Sequence, residues 1–352
     1  MTALPCGNFL EDFKPGRTIR HGTPRTVTDG DIAVYMALTG SREAAQSADT
    51  TAKLCGLTRR PLDDWLVFNI AFGKTVRDIS QNAIANLGYA EVHFLRPVFA
   101  GSTLRSETMV IGLREINTRN AGIVHVRSTC LDETDTPVLS WVRWVMVPKQ
   151  ADGRRIDTQV APELLPLIPP QDIESHARFS SADALRDWCQ ATASTKLWDD
   201  YALGDRINHP SGMTIEEADH MSAARLYQNT AQIHFVPKTM VANEAGRRIV
   251  YGGHVISICY ALSYAGLENR IHVAAVNSGK HTAPVFAGDV LYSTSTILDR
   301  QTIRHRTDIG LLRLRLIGSK AHDPEAADVG TSDGKSTVLE LDYWAVIPRR
   351  HG

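Results

Sequence analysis

The sequence predicts an α+β protein in which one unit, a long helix wrapped by an antiparallel meander, is written twice. Three observations carry that expectation. The string Pro-Val-Phe-Ala-Gly occurs at Pro97–Gly101 and again 187 residues later at Pro284–Gly288, each time followed three positions on by a leucine, Leu104 or Leu291. A slide of 188 residues sets Asp12, Phe13, Gly16, Ile19 and His21 on Asp200, Tyr201, Gly204, Ile207 and His209, and Thr26, Val27 and Asp31 on Thr214, Ile215 and Asp219. Both copies also close alike, at Trp144–Pro148 and Trp344–Pro348, now 200 residues apart. Two copies of this length are a duplicated domain and not a solenoid.

Each copy opens with a short strand-like stretch around Gly16 or Gly204. A helix start follows. Thr214-Ile-Glu-Glu217 reads as a capping box, and Thr28-Asp-Gly-Asp31 carries the same signal with aspartate. From about Ile215 the residues Ala218, Met221, Ala224 and Leu226 form an apolar stripe of helical period that should end near Gln228-Asn229. A second, buried helix is expected from Trp65 to about Phe72, and from Val255 to about Tyr264 in the other copy. The stretches 90–99, 102–113, 122–131 and 138–147 are rich in Val, Ile and Thr, and turn residues separate them, as a meander requires. Their counterparts are 271–278, 290–298, 309–316 and 338–347.

These elements divide the chain into an N-terminal unit over 1–150, a connection over 151–195 and a C-terminal unit over 196–352. The connection begins with a proline-rich linker, Ala151–Pro170, and continues through a weakly helical stretch, Asp172–Ala193, expected on the outside. Ala321–Lys335, rich in Asp, Gly and Ser, is an insertion without a counterpart in the first copy, which accounts for the longer final offset.

Composition narrows the function classes. A net charge of −1 gives no footprint for nucleic acid or an anionic membrane. No apolar run is long enough to span a bilayer, and the first residues carry no signal-peptide pattern. The five cysteines are scattered without C-x-x-C spacing, so a reducing cytoplasm is the expected setting, and Cys259, flanked by Ile258 and Tyr260, reads as core. The G-x-S-x-G, H-E-x-x-H, P-loop and G-x-G-x-x-G signatures are absent from the sequence. Neither metal nor redox cofactor is signalled.

The candidate chemistry lies where the copies differ. In the loop after the first helix the second copy has His234 and the first has Gln46. A titratable side chain just past a helix end, pointing at the other unit, suits a general acid/base. Before the buried helix the second copy reads Tyr251-Gly252-Gly253-His254, where the first has Asp63-Asp64-Trp65-Leu66. Paired glycines at a helix start let a ligand approach the backbone, and the free N–H groups there can hold a developing oxyanion.

At these residues the chain resembles the MaoC-like acyl-CoA hydratases, which adopt the hot-dog fold. Their motif sets an Asp and a His five residues apart after a helix, then a His-Gly pair opening the central helix. Ile233-His234 matches the end of the first element, Tyr251-Gly252 falls on the pair, and Pro284–Leu291 with Asp289 matches P-V-x-x-G-D-x-L. Within that group the stretch 72–91, together with 16–21, 23–28 and 142–147, is similar to the mesaconyl-CoA hydratase (β-methylmalyl-CoA dehydratase) family, most densely over residues 11–149. The resemblance implies a double hot-dog, a working site in the C-terminal copy, and edge-to-edge association as a homo-oligomer.

It also implies a cytoplasmic hydro-lyase that adds water to mesaconyl-CoA, an acyl-CoA thioester. Other (R)-specific enoyl-CoA hydratases, a hot-dog thioesterase and a non-catalytic acyl-CoA-binding protein stay open as alternatives. On this reading His234 is the acid/base group, working through water held by Asn229. The thioester oxygen is held near Tyr251, Gly252 and Gly253. Asn229 stands where the motif has Asp (Ser41 in the first copy), and an amide cannot take a proton at neutral pH. Asp63, Asp64 and His254 are therefore weighed as second groups, while Glu216, Glu217 and Asp219 are adequately explained by the helix start. Arg42 and Arg225 are candidates for the free carboxylate of the acyl chain, and a shortened helix start in the first copy is expected to make room for that chain.

Overall fold

A computed structural model describes residues 7–150, 155–156, 158–237, 246–321 and 336–350. The first unit runs through β1 (Thr18–Arg20), β2 (Arg25–Thr26), α1 (Asp29–Thr39), two short helices α2 (Ala44–Ser47) and α3 (Asp49–Leu54), the central helix α4 (Asp64–Ile79), and a meander of β3 (Ala85–Phe94), β4 (Thr103–Ile116), β5 (Ala121–Leu131) and β6 (Pro137–Pro148). The connection carries α5 (Ala182–Thr192). The second unit repeats the plan: β7 (Arg206–Asn208), β8 (Met213–Thr214), α6 (Glu217–Leu226), the central helix α7 (Gly252–Leu262), then β9 (His272–His281), β10 (Val290–Thr302), β11 (Ile309–Ser319) and β12 (Thr337–Pro348).

All twelve strands join one antiparallel sheet of order β1-β4-β5-β6-β3-β9-β12-β11-β10-β7, with β2 on β4 and β8 on β10. The order is a palindrome about the β3–β9 seam, where Tyr89 pairs with Gly279 and Val92 with Val276. The two central helices pack on each other inside this curved sheet. Asn69 of α4 donates to the Ser257 hydroxyl of α7 at 3.0 Å, so two residues 188 apart meet at the axis relating the copies.

The repeated strings have structural causes. Gly101 and Gly288 sit at φ +98° and +90°, a region costly for residues with a Cβ, and each donates its N–H at 2.8 Å to the carbonyl of the residue that precedes the first helix's N-cap, Val27 or Ile215. The valine of each string, Val98 or Val285, is core. The anchor histidines are core as well: His21 Nε2 meets Thr108 Oγ1 at 2.7 Å, and His209 Nε2 meets Ser295 Oγ at 2.8 Å.

Three boundaries differ from those expected. The Thr28 box forms, its hydroxyl accepting from Asp31 N–H, but Thr214 lies in β8 and α6 starts at Glu217, because the Glu217 carboxylate is taken by Arg248. The central helix of the first copy continues seven residues past Phe72 to Ile79. It is therefore the longer of the two, and room for an acyl chain does not come from shortening it. The α7 helix opens at Gly252, so both glycines lie in its first turn. The linker is not loose over its described part: Val160 bridges to Leu113, and the Ile168 N–H is held by Asn277 at 2.9 Å. The expected insertion over 321–335 falls, beyond residue 321, outside the described residues.

Candidate active site

Past the C-terminus of α6 the chain turns through Gln228, at φ +54°, into Asn229. The Asn229 side-chain oxygen accepts the Ala231 N–H at 2.9 Å, an Asx turn that launches a single helical turn over Gln232–His234. That turn swings the His234 ring inward, edge-on to Tyr251 with ring centres 5.5 Å apart. His234 Nδ1 donates to the Ile249 carbonyl at 2.9 Å, which fixes the tautomer and leaves the Nε2 lone pair as the basic atom. Burial pushes the His234 pKa down to about 4, against the opposing effect of the Ile249 hydrogen bond, so the ring is neutral at pH 7.

Tyr251 caps α7 without a side-chain hydrogen bond to the helix, and the Gly252 and Gly253 N–H groups belong to its uncapped first turn. The glycines part company here. Gly252 lines a cavity of about 410 Å³, and a Cβ on it would lie 2.4 Å from His281 Nε2. Gly253 faces α4 instead, where a Cβ would lie 1.9 Å from Asn69 Oδ1. It is the glycine that lets the central helices meet.

The cavity brings His234, Asn229, Tyr251 and Gly252 of the second copy together with Phe72, Asn86, Tyr89 and Arg143 of the first. Residue reading missed Asn86, Tyr89, Arg143 and His281. Of the cavity's polar atoms, both side-chain atoms of Asn86, Arg143 Nε and the Tyr251 hydroxyl are buried without a partner. The Tyr89 hydroxyl stands 3.4 Å from His281 Nε2, and burial lowers the His281 pKa to about 4. A charged residue in the middle of Trp141-Val142-Arg143-Trp144-Val145, on a strand whose neighbours are core, was the legible sign.

The other candidates lie elsewhere. Arg42 stacks on Tyr264, and Arg225 donates to Ser222; neither lines this cavity. His254 is buried in α7 with its pKa lowered to about 3, also away from the cavity. Glu217 is held by Arg248.

Asp63 and Asp64 occupy the counterpart site of the first copy. Asp63 caps α4 and accepts from Trp65 N–H, the Tyr35 hydroxyl and the Ser41 hydroxyl; Asp64 accepts from Gln46 and the Val273 N–H. Behind them Glu43 and Arg270 form a fully buried two-pronged ion pair, with Arg270 also donating to Tyr343. The void beside Gln46 and Asp64 measures only about 40 Å³.

Comparison with known proteins agrees with this architecture. A family model described as mesaconyl-CoA hydratase matches residues 2–329. The chain is 46% identical over 352 residues to a β-methylmalyl-CoA dehydratase of Chloroflexus aurantiacus, covering 98% of each chain. It is 44% identical over 347 residues to a mesaconyl-CoA hydratase of Cereibacter sphaeroides, covering 98% of this chain and 99% of that one. Among solved structures, a MaoC domain protein of C. aurantiacus matches at TM-score 0.92 and 46% identity over 98% of both chains. A Mycobacterium tuberculosis protein with a double hotdog fold matches at TM-score 0.73 and 27% identity, covering 97% of this chain and 99% of that one. The fold is a double hot-dog, as the repeat and the sheet order require.

Proposed function

The chain belongs to the mesaconyl-CoA hydratase family, and from that premise we propose how the cavity between its two units carries out the reversible hydration of mesaconyl-CoA to β-methylmalyl-CoA. The observation that carries the reading is a neutral histidine of fixed tautomer opening on the same cavity as an uncapped helix start. The reaction places the hydroxyl of water on C3, the carbon bearing the free carboxylate, and a proton on C2, which bears the methyl group.

His234 Nε2 takes a proton from water as the oxygen bonds to C3. The C2=C3 electron pair moves towards the thioester, whose oxygen gains negative charge at the Gly252 N–H and the positive end of α7. The imidazolium so formed then gives its proton to C2. A histidine whose pKa is pushed down to about 4 holds a proton poorly and releases it readily to carbon. One group thus serves as base and then as acid, which dispenses with a carboxylate at position 229. Asn229 keeps the turn in place through its oxygen and offers its NH2 to the attacking water.

We read the assembly as a homo-oligomer and the setting as cytoplasmic; the buried free thiols of Cys55, Cys130 and Cys259 support a reducing compartment. Among the described residues no helix is long and apolar enough to cross a membrane.

The test is direct. Incubated with mesaconyl-CoA, the protein should consume the enoyl-thioester absorbance and yield a product heavier by one water, with no free CoA. Release of free CoA would make it a thioesterase, and binding without turnover would make it a carrier.

A further inference from the structure

The cavity contains a cation that no described residue of the protein provides with a counter-charge. Arg143, on β6 opposite Tyr89 of β3, is 0% exposed. Its guanidinium donates to the Thr75 hydroxyl at 2.8 Å and the Ser80 hydroxyl at 3.3 Å, and lies 4.0 Å from the centre of the Phe72 ring. Its Nε–H is buried without a partner. Among the described residues no carboxylate forms an ion pair with it. The fully buried Arg270 differs in this respect, because Glu43 holds it with two hydrogen bonds.

Burial lowers the Arg143 pKa to about 10, which still leaves the group cationic at neutral pH. Two neutral hydroxyls and a ring face do not neutralise a buried cation, and stranding one is strongly unfavourable. Among the described residues lining the cavity Arg143 is also the only Lys or Arg, and the histidines there, His234 and His281, are neutral.

We propose that Arg143 binds the free carboxylate of the acyl chain and makes the site selective for a dicarboxylic enoyl thioester over a monocarboxylic one. The inference rests on the reading of mesaconyl-CoA as substrate, and chain geometry links the two. The carboxylate is bonded to C3, the carbon His234 must reach through water, and the thioester held at Gly252 lies on the other side of C2. A substrate seated between those groups carries its negative end into the part of the cavity built by the first copy, where Phe72, Ser80 and Arg143 stand. A planar guanidinium with unused donors matches a carboxylate in shape as well as charge.

The experiment compares mesaconyl-CoA with (E)-2-methylbut-2-enoyl-CoA, in which a methyl group replaces the carboxylate, in the wild type and in Arg143→Met and Arg143→Lys. Taking each substrate's variant-to-wild-type ratio cancels the intrinsic reactivity difference between the two thioesters. Arg143→Met should lower kcat/KM for mesaconyl-CoA about 10²–10³-fold and leave the neutral substrate within about threefold, with partial recovery in Arg143→Lys. Equal losses on both substrates mean a purely structural role and overturn the proposal; so does no loss on either. A wild type that hydrates mesaconyl-CoA while Arg143→Met keeps its preference sinks the carboxylate assignment alone, whereas a wild type inert to mesaconyl-CoA sinks the functional reading first.

Should the variants not fold, the wild type suffices. It should bind 2-methylsuccinyl-CoA at least about 30-fold more tightly than 2-methylbutanoyl-CoA, and equal affinities would overturn the proposal.

Discussion

Around Gln46 the acids of the first copy are answered from within the protein. Asp63 has a backbone N–H and two hydroxyls, Asp64 has Gln46 and a backbone N–H, and Glu43 has Arg270. Around His234 in the second copy the strong polar groups are unanswered: Asn86, Arg143 Nε and the Tyr251 hydroxyl are buried without partners. The first site has collapsed to a void of about 40 Å³, and the second stays open at about 410 Å³. One duplicated unit has thus produced two results. Where the buried carboxylates find partners the cavity closes and becomes core, although Gln46 Oε1 stays without one; where a buried cation and several polar groups do not, it keeps a shape that a polar ligand can complete.

The largest expected effects break the comparison at its chemistry. His234→Ala should lower the rate of mesaconyl-CoA hydration about 10²–10⁴-fold with the fold intact, the usual loss for a general acid/base. Gln46→Ala, at the matching place, should leave the rate within about twofold, as steady-state assays of the purified variants can check. The reverse contrast is in stability. Glu43→Ala strands the Arg270 charge and should cost about 3–5 kcal/mol in denaturant unfolding, while the hydration rate per folded molecule stays near that of the wild type.

The paired glycines sharpen the comparison next. Gly252→Ala drives a Cβ towards His281 Nε2 on the cavity wall, and should reduce kcat roughly 10²-fold by displacing the thioester. Gly253→Ala drives it into Asn69 at the crossing of the central helices, and should cost about 1–3 kcal/mol of stability. If both variants lost activity and kept stability, the separation of their roles would be wrong.

Acid should affect the whole molecule. His209, His234, His272 and His281 are held to about 4 and His254 to about 3 by burial. The unfolded chain binds these protons near the ordinary histidine pKa of about 6.5, so between the two values it carries more protons than the folded chain. Stability is then greatest above about pH 6.5 and falls as the pH drops towards 4, which melting temperatures across that range will register. The hydration rate per folded molecule should fall only as the pH nears 4, where His234 Nε2 is protonated. A smaller loss than at His234 or Gly252 belongs to Asn229→Ala, which removes the Asx turn and should slow hydration about tenfold through misplacement of His234.

Much of this was legible in the chain because duplication prints the same constraint twice. The left-handed Gly101 and Gly288, the buried Val98 and Val285 and the core histidines His21 and His209 all stood out by recurring. Helix ends were harder. The first central helix, expected to end near Phe72, runs on through Gly73, where the Tyr227 carbonyl of the other copy passes so close that a Cβ would lie 1.9 Å from its oxygen. Thr214 has the spacing of a cap, but Glu217 is claimed by Arg248 from a distant loop.

The same limit applied to the site. His234 and Gly252, picked out where the copies diverge, and Asn229, picked out by the motif it departs from, do line one cavity. Arg143, Tyr89 and Asn86 reach the cavity only through sheet pairing of the first copy, a long-range fact that local pattern does not carry. Arg225 closely precedes Asn229 and Arg42 follows its first-copy counterpart Ser41, yet neither lines the cavity.

The most direct test is a crystal structure of the protein with β-methylmalyl-CoA. The account predicts one ligand per chain, in the cavity between the copies, with the thioester oxygen within hydrogen-bond distance of the Gly252 N–H and the C3 hydroxyl within reach of His234 Nε2. An acyl group lodged beside Gln46 and Asp64, or a thioester turned away from Gly252, would contradict it.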